Sequence, residues 1–214
     1  MSLEGFDTLA AEARAELELR HAAREEVLKI SRLLIQTCSK AIKHIHRRQM
    51  DQARSLLGES RGLSQRMRQS ASKHPEILYA GYIQDSEKEM VEGYALLAMV
   101  EGRPFESAAE LGVGVNSWLH GMGEAASEAR RWALDDMRNG GLLEAEKMLQ
   151  IMDGIYDELT TFDFPDGLTG GLRRTCDALR AVIERTRSDL TMTQVQNKLI
   201  ERLDKSLKDK DVFL

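Results

Sequence analysis

Only three prolines, two cysteines and 5% aromatic residues occur in the 214 positions of this chain. So few prolines leave long stretches in which nothing interrupts backbone hydrogen bonding, and that favours long helices. Cys38 and Cys176 fall on helical patterns without metal-binding or redox spacing. They are expected as small buried apolar residues in a reducing cytoplasm. No apolar run approaches the roughly 20 residues that a bilayer-spanning helix needs, and the acidic amino terminus carries no signal-peptide core. No membrane association is therefore expected. A glycine-rich phosphate loop, a nucleophile elbow and a zinc pattern are all missing, as are internal repeats and strand-like alternation. The net charge is only −5, which rules out a global basic field as the signature of nucleic-acid binding. Any such site has to be a local stripe.

What is present is helical. Ala, Leu, Glu, Arg and Met, all strong helix formers, dominate the chain, and a 42% apolar fraction suffices for a sizeable core. Val27, Ile30, Leu34, Ala41 and Ile45 recur at three-and-four spacing and predict one helix from Thr8 to about Met50. A second is predicted from Asp51 to Ser72, ending before His74-Pro75 because the residue ahead of proline avoids helical geometry. A third starts near Glu76 and stops at Glu101-Gly102-Arg103-Pro104. After a short element over Glu106 to Leu111, Asn116 or Ser117 is the expected cap of a fourth helix reaching Arg138. A fifth covers Leu142 to Thr160, and a sixth runs from about Leu168 to Ser206 with a possible break near Ser188 to Thr193. The expected architecture is an all-α, single-domain bundle of about six to seven long helices over residues 1–214, with flexible ends at 1–7 and 207–214.

Two features carry chemistry. Asp85, Glu89 and Glu92 are spaced four and then three residues apart, so they share a helix face. Glu124 and Glu128 stand one turn apart on the fourth helix, with Arg131 and Asp135 continuing the stripe. Facing helices would converge four or five carboxylates, which repel and raise each other's pKa unless cations intervene. Mg²⁺ or Mn²⁺ suits an all-oxygen ligand set, and such an ion activates water and neutralises developing charge on a phosphodiester. Spacing alone favours a solvated acidic face, the commoner outcome for helix glutamates. Against it, Glu92 adjoins Gly93 and Tyr94 in an apolar segment, and Glu124 sits among Gly121, Met122, Gly123, Ala125 and Ala126. Acids in close-packed surroundings need a compensating partner.

The second feature is basic. Arg24, Lys29, Arg32, Lys40, Lys43, His44, His46, Arg47 and Arg48 lie on the first helix, and Lys40 to Arg48 contains no acid. Lys40, Lys43 and Arg47 share a face, as a phosphate-binding ridge requires. Arg54, Arg61, Arg66 and Arg68 extend the basic character onto the second helix. Solubility, or pairing with nearby acids, is the plainer account of such charges. Glu18-x-x-His21 matches half of a di-iron motif, but no second half exists. Trp118 and Trp132 are expected as core or interface anchors rather than base-stacking platforms.

Taken in order, Arg24 with Ile30-Ser31-Arg32, Cys38-Ser39-Lys40 and Ile45-His46-Arg47 resembles the first helix of the translin family. Glu89-Met90-Val91-Glu92-Gly93-Tyr94 resembles the Glu-x-x-Glu of its translin-associated factor X (TRAX) branch. Asn116-Ser117-Trp118-Leu119-His120-Gly121, followed by Glu124, Glu128 and Arg130-Arg131, is similar to that branch's Asp-Tyr-Leu-x-Gly helix. The likeness spans about Arg20 to Asp204 and points to a prokaryotic or archaeal TRAX-like protein. It implies a fold that assembles into a hollow homo-oligomer, an octamer by analogy, with nucleic acid inside. It also implies a Mg²⁺-dependent endoribonuclease (Mn²⁺ being an alternative ion). Glu89, Glu92 and Glu124 would be the metal ligands, with Glu128 a fourth catalytic acid. Arg24, Arg32, Lys40, Lys43, His46, Arg47 and Arg131 would hold RNA phosphates. Glu124 stands where the branch usually has aspartate, one methylene shorter, and Asn116 replaces an aspartate at the helix start.

The expected substrate is single-stranded RNA or a short duplex, with single-stranded DNA a further ligand and the cytoplasm the expected location. One alternative is a non-catalytic translin-like assembly that binds single-stranded RNA or DNA. A lesser one is a nucleotide pyrophosphatase of the MazG or dimeric dUTPase type, whose site also carries Glu-x-x-Glu but which leaves the basic first helix unexplained.

Overall fold

A computed structural model describes residues 5–211, with side chains through residue 207. Among the described residues there are nine helices and no strand, and 86% of those residues are helical. Six are long: α1 (Phe6–His46), α2 (Met50–Ala71), α4 (Gly81–Glu101), α6 (Val115–Arg138), α7 (Leu142–Thr160) and α9 (Leu172–Asp211). Three are single turns: α3 (Pro75–Leu78), α5 (Ala108–Leu111) and α8 (Asp166–Thr169). The all-α expectation is met. The ends expected to be flexible fall partly on residues 1–4 and 212–214, which lie outside the described residues. Inside them, Phe6 and Asp7 already belong to α1.

Several boundaries differ from the sequence expectation, among them the end of α1 at His46 and the separation of α8 from α9, and three have a clear physical reason. The helix predicted from Glu76 is two helices, because the chain turns at Tyr79-Ala80 ahead of Gly81, a weak helix former. α9 is continuous through Ser188 to Thr193. There the hydroxyls of Thr191 and Thr193 donate to the carbonyls of Arg187 and Asp189 on their own helix, each at 2.8 Å, instead of diverting the backbone. Finally, α6 begins at Val115, so Asn116 and Ser117 lie inside it and do not cap it.

The described chain forms two compact units. The first comprises the chain up to Ala98 together with Pro104–Gly121. In it α2 packs against α1, and the two are connected by a tight turn in which Arg48 adopts a left-handed φ of 59°. Leu34, Ile45, Leu57, Leu63, Met67 and Met90 are fully enclosed in its core. Short α5 is fixed by a capping box: the Ser107 side chain accepts from the Glu110 amide, and the Glu110 carboxylate accepts from the Ser107 amide.

The second unit comprises Met99–Arg103 and the chain from Met122 onward. There α7 packs against α9 around Met152, Leu159, Leu179 and Ile183. Arg187 on α9 holds both carboxylate oxygens of Asp153 on α7, at 2.7 and 2.8 Å. Cys38 and Cys176 are buried free thiols, as expected. No described helix is long and apolar enough to cross a membrane.

Candidate functional site

The site is built on α4 and the first half of α6. Their close approach depends on Gly121, where a Cβ would stand 2.5 Å from the Val91 Cβ and 2.8 Å from the Lys88 carbonyl oxygen. No side chain other than hydrogen fits there. Gly93 plays the same part on the α2 side of α4, since a Cβ would come within 2.8 Å of Leu57. Beside it the Tyr94 hydroxyl donates to the Leu57 carbonyl at 3.0 Å. Glycine is the residue that admits such backbone-to-side-chain proximity.

The start of α6 is held by a residue the sequence reading did not single out. Glu87 is 0% exposed. Its carboxylate accepts from the Arg68 guanidinium at 2.5 and 2.9 Å, from the Gly114 amide at 3.3 Å and from the Ser117 hydroxyl at 3.3 Å. A carboxylate from α4 thus accepts one of the amides that the start of α6 leaves without an intrahelical partner. The hydrogen bond to Glu87 in turn raises the pKa of Arg68. The sequence signal was available: Ile83, Glu87, Met90 and Tyr94 follow helical spacing, so Glu87 is an acid in a core register.

The sequence-predicted acids divide. One carboxylate oxygen each from Glu89, Glu92 and Glu124 lies within 4.8 Å of the others, and all three side chains are half-buried. Glu124 stands one turn beyond Gly121 on α6. Glu128 is half-buried one further turn along α6 but does not belong to that three-carboxylate group. Asp85 is exposed on α4 and stands apart from it, and Asp135 pairs with Arg138 at 3.1 Å. Oxygen donors around an octahedral ion the size of Mg²⁺ are about 3–4 Å apart. Three carboxylates already gathered within 4.8 Å meet that requirement with small side-chain adjustments. An all-oxygen donor set of this kind fits Mg²⁺ or Mn²⁺ and does not suit a softer metal.

Cys38 on α1 reports the field of the same acids. Burial pushes its thiol up to about 12, and the negative charges of Glu89 and Glu92 push in the same direction, against a hydrogen bond with Ser60 that lowers it.

The basic residues are placed unevenly. Arg24, Arg32, Lys40, Lys43, Arg47 and Arg131 are exposed, and His46 is half-buried at the end of α1. Arg24 meets Glu25 at 2.8 Å. The α2 arginines are largely committed elsewhere, which corrects their expected share in a phosphate ridge. Arg68 serves Glu87, Arg54 meets Asp51 at 2.6 Å, and Arg61 binds Glu106 at 2.9 Å and the Glu110 carbonyl while lying 5.7 Å over the Tyr94 ring. Trp118 donates its indole N–H to the Glu106 carbonyl at 2.9 Å, and Trp132 is buried, so both act as anchors.

No protein-family model matches this sequence. An uncharacterized protein of Methanocaldococcus jannaschii is 30% identical over 189 residues, covering 86% of this chain and 82% of that protein. Among solved structures, AfC3PO of Archaeoglobus fulgidus superposes with a TM-score of 0.81 at 35% identity, over 87% of this chain and 97% of its own. C3PO proteins are of the translin and translin-associated factor X family. This chain belongs to the translin family. A complex of AfC3PO with duplex RNA matches equally well, with a TM-score of 0.81 at 34% identity. NeC3PO shares the translin fold at a TM-score of 0.76 and 22% identity, over 90% of this chain and 99% of that one.

Proposed function

We propose that this protein is a Mg²⁺-dependent endoribonuclease. The convergence of Glu89, Glu92 and Glu124 within 4.8 Å carries this reading. Gathered carboxylates repel one another, and a divalent cation bound between them offsets that repulsion. When bound, a hard divalent ion lowers the pKa of coordinated water and offsets charge on the scissile phosphate. Glu89 and Glu92 hold that ion from α4 and Glu124 holds it from α6. Glu128, one turn further along α6, orients a water or takes a proton at the edge of the cluster. Arg131, with Arg24, Arg32, Lys40, Lys43, His46 and Arg47 of α1, grips flanking phosphates, each cation releasing counterions from the strand. The 34% identity to AfC3PO, solved with duplex RNA, supports RNA as the ligand, and single strands or short duplexes are the substrates of this reading. Assembly into a hollow homo-oligomer, an octamer by analogy, would confine cleavage to strands able to enter.

Single-stranded RNA is the test substrate. Cleavage should require Mg²⁺ or Mn²⁺ and fall by about 100-fold or more in Glu89→Ala or Glu92→Ala, with RNA binding in EDTA retained. Unchanged cleavage in both variants would sink the assignment. The exposed cations of α1 also support a second reading, a passive RNA or single-stranded DNA binder. It predicts salt-sensitive binding, indifference to EDTA and no cleavage in any variant.

A further inference from the structure

Both terminal helices end in amphipathic stretches that carry no buried side chain among the described ones. Val27 is the first buried side chain of α1, and Leu190 is the last of α9 among the described side chains. Residues 6–26 and 191–211 are thus equal stretches of helix, each about 30 Å long at 1.5 Å per residue. On α1, Phe6, Leu9, Ala13 and Leu17 repeat at three-and-four spacing, and all are exposed. On α9, Met192, Val195, Leu199, Leu203 and Leu207 do the same, each at least 55% exposed. Apolar stripes this continuous are unusual on a surface that faces only water, and seam spacing of this kind is what helix-to-helix docking uses.

The flanking charges differ in sign. Residues 6–22 carry four acids (Asp7, Glu12, Glu16, Glu18) against two arginines. Residues 191–207 carry Lys198, Arg202 and Lys205 against two acids. Two copies of α1 would oppose acid to acid, whereas α1 against α9 opposes unlike charge.

We infer that the apolar stripe at the start of α1 in one copy docks on the stripe at the end of α9 in a second copy. This deepens the assembly part of the proposed function and rests on it, but not on catalysis. The contact is heterologous, joining two different surfaces, and repeated around a rotation axis it closes a ring. Every subunit then gives one terminal helix and receives the other.

The test compares Leu9→Glu/Leu17→Glu with Leu199→Glu/Leu203→Glu, by light scattering coupled to size exclusion, with circular dichroism confirming helicity. All four positions are exposed, so folding of the units is preserved. Each variant alone should lose at least half of the wild-type assembly mass. An equimolar mixture should form a 1:1 pair, because one intact α1 and one intact α9 remain. Loss of assembly in only one variant, or failure of the mixture to pair, overturns this contact. An unchanged mass in both variants overturns it and leaves the oligomer standing on other surfaces. A wild-type monomer overturns oligomer and contact together, while RNA cleavage is read separately.

Discussion

Glu87 and Glu89 stand two residues apart on α4 and point to opposite sides of it, where they meet opposite treatment. Glu87 is wholly buried and saturated with donors from Arg68, Gly114 and Ser117. Glu89 is half-buried and brought against two more carboxylates, Glu92 and Glu124. A buried charge persists only when its partners are complete, so the first arrangement is a fastening between helices. Like charges drawn together at a partly open position favour a cation, which is why the second is proposed as a receptacle for one. The same residue type on one helix therefore does structural work on one face and offers ligand chemistry on the other, and neighbours alone decide which.

The largest expected effect separates the two by stability. Arg68→Ala strands a buried carboxylate and should cost about 3 kcal/mol, a fall in Tm of roughly 6–12 °C for a chain of this size. Glu92→Gln, measured without metal, should leave Tm unchanged or slightly raised because it relieves repulsion. If Arg68→Ala costs no more than Arg54→Ala, which removes an exposed pair with Asp51, the fastening role fails.

Next in size is the response to metal. Mg²⁺ at a hundredfold excess over its dissociation constant should stabilise the wild-type protein by about 2.7 kcal/mol. Glu92→Gln should lose most of that gain, and Arg68→Ala should keep it from its lower starting point. An equal Mg²⁺ shift in wild type and Glu92→Gln would remove the cluster from consideration as the receptacle.

The smallest effect is a pH dependence reported by Cys38. Its thiol rises from an ordinary 9.0 to about 12 in the folded chain. The stability this contributes is complete below pH 9.0 and declines above it, because the unfolded thiol ionises while the folded one stays protonated. By pH 10 the loss is about 1.4 kcal/mol. Chemical denaturation of wild type and Cys38→Ala at pH 8 and pH 10 isolates it. A difference between the two proteins that does not change with pH would show that Cys38 is not held protonated beside the acids.

Much of this was legible in the chain itself. Periodicity and breakers located all six long helices, and α7 matched its expected limits at Leu142 and Thr160. Lys40, Lys43 and Arg47 were readable as a face because helix spacing converts sequence distance directly into direction. Glu89 and Glu92 were readable as a pair for the same reason. Glu87 was passed over because a local pattern marks a core register but does not name the guanidinium that will occupy it. The start of α6 was misassigned by the same ignorance: the Gly114 amide finds its acceptor on α4, and no local rule sees a donor or acceptor from another helix.

The sequence by itself determined the helices, their apolar faces and the residues that share each face, because these depend on interactions within a few residues. Only the tertiary structure decided that Glu124 joins Glu89 and Glu92 while Glu128 stays outside their group, and that Arg61 and Arg68 serve carboxylates of the protein itself. Those outcomes depend on contacts between segments distant in sequence, such as the approach of α4 and α6 at Gly121, and helix periodicity carries no information about them.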